Sequence, residues 1–146
     1  MILDRGGAPP PLQPMPKFRI FFFYWLPLLI YLVLIFAQSA FPAPSTGLKI
    51  PHLDKGVHAA MYGLLGILFF RAYARTWNRM SAGRLMLFSV ASATLFGLSD
   101  EFHQAFVAHR SADPMDFLAD LIGSAVGVWM YRRVVAEEIY PDEILD

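Results

Sequence analysis

"FRIFFFYWLPLLIYLVLIF", residues 18–36, holds a single charged residue, Arg19, and its reading decides the fold. A helix rising 1.5 Å per residue needs about 20 consecutive, mostly apolar residues to cross a bilayer, so this run is nearly long enough to span alone. Pro27 removes one helical hydrogen bond and is expected to kink it. Lys17 and Arg19 before the run and "AQSA" (37–40) after it also fit a cleaved signal peptide. The run is longer than the usual signal core of about 7–15 residues, so a retained helix is the preferred reading.

Three shorter apolar runs follow, at residues 57–73, 85–98 and 117–131. Over the 146 residues the hydrophobic fraction is 56%, aromatics make up 15% and the mean hydropathy is +0.45, more apolar than a soluble globule of this size carries. The expected fold is therefore all-α, an integral membrane four-helix bundle over residues 17–134. A Pro- and Gly-rich tail, residues 1–16, precedes it and reads as disordered; an acidic, solvated tail, residues 135–146, follows. There is no cysteine, which excludes disulfides and thiolate metal sites. Twelve basic residues balance twelve acidic ones, and nucleic acid is not among the expected partners.

Charge distribution sets the orientation. Arg5, Lys17, Arg19, Arg71, Arg75, Arg79, Arg84, Arg132 and Arg133 fall on one side of the runs, against Lys49, Lys55 and Arg110 on the other. The positive-inside rule then puts both termini in the cytoplasm, with the protein in the plasma (bacterial inner) membrane. Trp77 and Trp129 suit the cytoplasmic interface. Counting inward from the arginines at 1.5 Å per residue puts Asp100 about 6 Å and Asp120 about 12 Å inside the outer boundary of a core about 30 Å thick, with His58 at a similar level.

Helical spacing gathers these groups further. Asp54, His58 and Tyr62 recur at i, i+4, i+8; Asp100, His103 and Gln104 at i, i+3, i+4; Asp116, Asp120, Gly123 and Gly127 form one stripe. Polar side chains at membrane depth face the bundle interior and find partners there. Gly123 and Gly127 form a small-xxx-small pair, read as close helix packing.

"DKGVHAAMYGLL" (54–65) followed by "SDEFHQAFVAHRSADPMDFLADLIG" (99–123) resembles the signature of the VanZ-like membrane proteins. That signature runs DK-x-x-H-x-x-x-Y, then DE-x-x-Q, an Arg, an Asp and a Gly. Here the matching residues are Asp54, Lys55, His58, Tyr62, Asp100, Glu101, Gln104, Arg110, Asp116 and Gly123, and "QSAFP" (38–42) resembles the Ser and Pro that precede the second helix. Asp120 stands where Asn is common, and His103 occupies a position that the pattern leaves open. The resemblance implies a small envelope protein associated with teicoplanin (glycopeptide) tolerance and supplies no settled biochemical activity.

Four uses of the cluster stay open on the sequence. As a scaffold, Lys55 and Arg110 neutralise Asp100, Glu101, Asp116 and Asp120 and lock the helices together, although buried ion pairs are weak evidence of stability. As a binding site, Arg110 and Lys55 hold the phosphate of a membrane lipid or lipid-linked envelope precursor, while His58, Tyr62, Gln104 and the acids bond the rest of the headgroup. As an enzyme, His58 with Asp54 or Asp100 forms a base and its orienting carboxylate. A divalent metal on His58, Asp100, Glu101 and His103 is chemically reasonable but has no specific ligand spacing, so no metal site or cofactor is assigned. As a transporter, Asp120 relays protons within a homo-oligomer. Binding of an outer-leaflet headgroup is the preferred reading.

Overall fold

The computed structural model describes residues 15–41, 53–107 and 113–136. Lys49, His52, His109, Arg110 and most of both expected tails lie outside the described residues. Within them the chain is all-helical, with four long helices: α1 (Lys17–Ser39), α2 (Leu53–Thr76), α3 (Ala82–Gln104) and α4 (Pro114–Tyr131). The first three are long and apolar enough to cross a membrane. α2 and α3 extend past the apolar runs at both ends, because Asp54, Lys55, Glu101 and Gln104 are carried on the helices themselves. A further π-helical turn, Arg132–Ala136, continues α4.

Pro27 does not break α1. The five residues Phe21–Trp25 just ahead of it take the wider π-helical turn, which accommodates the lost donor and the ring while the rod continues to Ser39. α4 starts abruptly for a local reason. Asp113 is extended, its side chain accepts from the Met115 backbone N–H at 2.9 Å, and Pro114 occupies the first turn, where no donor is needed.

α2 and α4 make the most extensive contact of the bundle, and α3 packs against both. The α2–α4 seam is glycine-built. A Cβ at Gly127 would lie 2.6 Å from the Gly63 carbonyl oxygen, and one at Gly123 would run into the Ala59 backbone. Backbones this close gain dispersion contact in a solvent that offers no hydrophobic drive between helices. Leu65, Phe70, Leu85 and Val128 fill the centre.

α1 is attached differently. It buries only Leu28, Ile35 and Ser39 and is held by side-chain hydrogen bonds along its length. Trp25 Nε1 donates to Thr76 Oγ1 at 2.9 Å, the Tyr31 hydroxyl to the Met61 carbonyl at 3.2 Å, and Ser39 Oγ to Asp100 Oδ1 at 2.5 Å. The outer wall carries Phe22, Val33, Leu87, Leu95 and Phe102, each more than half exposed. Water would penalise so continuous an apolar surface, whereas hydrocarbon is its natural solvent.

The end of the bundle that carries the arginines is an aromatic layer. The guanidinium groups of Arg71 and Arg75 lie over the Tyr24 ring at 5.5 and 5.7 Å, and Arg75 Nε also donates to the Tyr24 hydroxyl. Tyr73 stacks on Trp77 at 4.6 Å and bonds Ser92 through its hydroxyl.

Candidate functional site

At the opposite end, α2 supplies Lys55, His58 and Tyr62, α3 supplies Asp100, Glu101 and Gln104, and α4 supplies Asp116 and Asp120. Lys55 Nζ donates to Asp113 Oδ2 at 2.5 Å and to Asp116 Oδ1 at 2.6 Å, and lies 3.0 Å from Asp54 Oδ2. It does not pair with Asp100, Glu101 or Asp120, the other acids expected to be neutralised by basic residues: set within the first turn of α2, it reaches the start of α4 rather than the interior. Asp54 is largely exposed beside it. Asp113 lies ahead of α4, where the Lys55 ammonium holds its carboxyl below the usual carboxylate range.

One turn deeper, His58 Nδ1 meets Asp120 Oδ1 at 3.0 Å, and its Nε2 lies 4.0 Å from Asp116 Oδ2. Asp120 is fully buried and its second oxygen, Oδ2, has no partner among the described residues. Gly97 of α3 makes room for it, since a Cβ there would stand 2.5 Å from Oδ2 and 3.1 Å from the Tyr62 ring. The Tyr62 hydroxyl is likewise buried and unpartnered.

The two adjacent acids of α3 point different ways, as a 100° helical step requires. Asp100 turns towards α1 and accepts from Ser39 Oγ and, at 2.9 Å, from Gln104 Nε2. Glu101 turns towards α4; its Oε2 accepts the Asp113 backbone N–H at 2.9 Å, and its Oε1 is buried without a partner among the described residues. His103 stacks on Phe36 at 4.4 Å. Of the four residues weighed for a metal, Asp100 and His103 are thus turned towards α1. Ligand atoms of His58, Glu101 and Asp116 instead lie within 4.8 Å of one another.

Gly123 and Gly127 lie on the α2–α4 seam beneath this cluster. Sequence reasoning missed Ser39, Gly97 and Asp113 as parts of it. Beside the cluster a cleft of ≈ 770 Å³ opens between α3 and α4. Leu95, Leu98, Phe102 and Phe117 line it, and Glu101 and Asp113 are also at its wall.

Residues 12–136 match the family model described as VanZ/LLP1. A curated relative, "Uncharacterized protein C11E3.10" of Schizosaccharomyces pombe, is 28% identical over 101 residues, covering 69% of this chain and 59% of the relative. The chain therefore spans about three-fifths of the length of the curated relative it matches. No solved structure matches it.

Proposed function

Since the chain belongs to the VanZ/LLP1 family, we propose that it binds the headgroup of an outer-leaflet lipid or lipid-linked envelope precursor and thereby modulates glycopeptide (teicoplanin) sensitivity. In this reading it is a multi-pass protein of the plasma membrane with both termini cytoplasmic and the polar cluster facing outward. The nine-to-three asymmetry of Lys and Arg supports that orientation.

The observation that carries the reading is the cleft between α3 and α4. Its wall is apolar over most of its extent and includes two carboxylates of the cluster, Glu101 and Asp113. An amphipathic lipid has the same division, a hydrocarbon chain for Leu95, Leu98 and Phe102 and a polar head for the charged end. Lys55 supplies positive charge there, and Arg110, three residues before Asp113 in the sequence, is the residue proposed as a second cation, its guanidinium being suited to bidentate contact with phosphate.

One further observation favours an alternative, an acid–base or metal-dependent enzyme acting on such a lipid. His58 is paired with a buried carboxylate in the manner of an oriented base.

Both readings place a lipid at the cluster, and native mass spectrometry of the protein extracted with its lipids tests that shared element. The expected result is a co-purifying anionic lipid that is lost in Arg110→Lys, since Arg110 would hold its phosphate, and weakened in Glu101→Gln, since the Glu101 carboxylate would accept from a hydroxyl or amine of the headgroup, while both variants stay folded and abundant. Those variants should also lose any effect on teicoplanin sensitivity. Full lipid retention and unchanged sensitivity in both would remove these two residues from the site.

A further inference from the structure

We propose that His58, Glu101 and Asp116 hold a first-row divalent cation such as Mn²⁺ or Zn²⁺, with Asp120 as the group that orients the imidazole.

The geometry begins with the histidine. Asp120 Oδ1 engages Nδ1 at 3.0 Å, so the Nδ1–H tautomer is favoured and the lone pair of Nε2 is directed away from Asp120. Nε2 faces Asp116 Oδ2 at 4.0 Å, and a Glu101 carboxylate oxygen completes a group of ligand atoms within 4.8 Å of one another. Ligands at about 2.1 Å from a cation stand about 3–3.5 Å apart, so modest side-chain rotations close the site. A carboxylate behind the imidazole is the arrangement that metal-binding histidines use.

A second observation points independently to a ligand. Glu101 is 94% buried by its 6% exposure, and its Oε1 has no partner among the described residues. An orphaned buried carboxylate oxygen costs a protein substantially unless something is bound there. Each neighbouring carboxylate also has one oxygen committed elsewhere. Asp116 gives Oδ1 to Lys55 and turns Oδ2 to the histidine, while Glu101 gives Oε2 to the Asp113 amide.

Charge leads the same way. Asp54, Asp100, Glu101, Asp113, Asp116 and Asp120 crowd this end, and among the described residues Lys55 is the only Lys or Arg seen paired with them. A divalent ion on Glu101, Asp116 and a neutral imidazole adds positive charge beside Glu101 and Asp120, with which Lys55 makes no ion pair. The imidazole ligand selects Mn²⁺, Zn²⁺ or a similar ion over Ca²⁺ and Mg²⁺, which prefer all-oxygen shells. Three protein ligands leave coordination positions for water or a phosphate oxygen.

The inference does not depend on lipid-headgroup binding, because the ion is measured in zwitterionic phosphatidylcholine with no anionic lipid or envelope precursor added. The full chain, stripped with EDTA and placed in nanodiscs of phosphatidylcholine alone, is titrated with Mn²⁺ and followed by electron paramagnetic resonance. One ion per chain is expected, with ¹⁴N modulation from a coordinated imidazole and displacement by Zn²⁺. His58→Gln should abolish the ¹⁴N signal and weaken binding at least tenfold. Asp120→Asn should keep the ¹⁴N signal but weaken binding by about 10–100-fold. Trp25→Phe, at the far end of the bundle, should bind as the parent does. Absence of stoichiometric Mn²⁺, bound Mn²⁺ without ¹⁴N modulation, or unchanged affinity in a folded His58→Gln would each overturn the site. If His58→Gln does not fold, the ¹⁴N modulation of the parent protein decides alone.

Discussion

At the arginine-bearing end of the bundle, Tyr24, Trp25, Tyr73, Thr76 and Arg75 bond and stack on one another. At the other end, Tyr62, Glu101, His103 and Asp120 each keep a buried polar atom without a partner among the described residues. Among the described residues, polar groups are thus paired where they hold helices in register and several are unpaired at the end where α2, α3 and α4 bring their ionisable groups together. Buried polar groups rarely stay unpaired without a use, and intramembrane ionisable groups mark function more often than support. The contrast sets the end where helices are pinned together apart from the end where binding is proposed.

Breaking the seam that supports both ends should have the largest effect. Gly123→Leu forces a side chain into the Ala59 backbone, where no rotamer change gives relief. Overpacking a tight core costs about 1–3 kcal/mol and sometimes more; a backbone collision belongs at or above the top of that range. Thermal unfolding in detergent should show a large drop in melting temperature. A melting point within a degree or two of the parent would mean that α2 and α4 are less intimately packed than described.

Lys55→Met comes next. It leaves Asp116, Asp113 and Asp54 without their shared ammonium, at a partly exposed mouth rather than in a dry interior. The cost should fall between surface and buried ion pairs, about 1–2 kcal/mol by chemical denaturation, and should come with lost lipid retention. Trp25→Phe, at the satisfied end, should cost only the hydrogen bond to Thr76, about 0.5–1 kcal/mol, and leave lipid and ion binding unchanged. Loss of binding in this variant would erase the distinction between the ends.

The smallest effect is a pH dependence. The Asp113 carboxyl titrates below its ordinary value because Lys55 stabilises its charged form, so folding gains from the pair above about pH 4. That contribution fades as the pH falls through the depressed folded value. Asp113→Asn should flatten this part of an acid-unfolding curve and leave the shape of the profile near neutrality as in the parent. An unchanged acid limb in the variant would show that Asp113 contributes nothing to it.

The four helices and the membrane-spanning character were legible because apolar length and composition are local properties, visible in the run at residues 18–36 and in the three shorter runs after it. That His58 and Tyr62 lie on one face of α2 was legible for a related reason, since an i, i+4 spacing fixes it whatever stands opposite. What the sequence hid depends on the opposing element. Gly97 looks like any helix glycine until Asp120 and Tyr62 are seen filling the space where its side chain would be. Asp113 has the appearance of an ordinary helix cap before Pro114, and it is one, yet it also takes Lys55 and gives its amide to Glu101. Ser39 ends α1 at the level of Asp100, a match set by how the two helices dock rather than by any spacing along the chain. Arg110 remains outside the described residues.

The attachment of α1 carries a consequence for how the protein is made. Its anchor points, Met61, Thr76 and Asp100, all belong to segments synthesised after it. Among the four helices α1 therefore has nothing to dock on until α2 is in the bilayer, which brings Met61 and Thr76, and its attachment is complete only when α3 brings Asp100. A chain divided in the α1–α2 connection and expressed as two pieces should still assemble, because docking of α1 is in effect already an encounter between separately inserted parts.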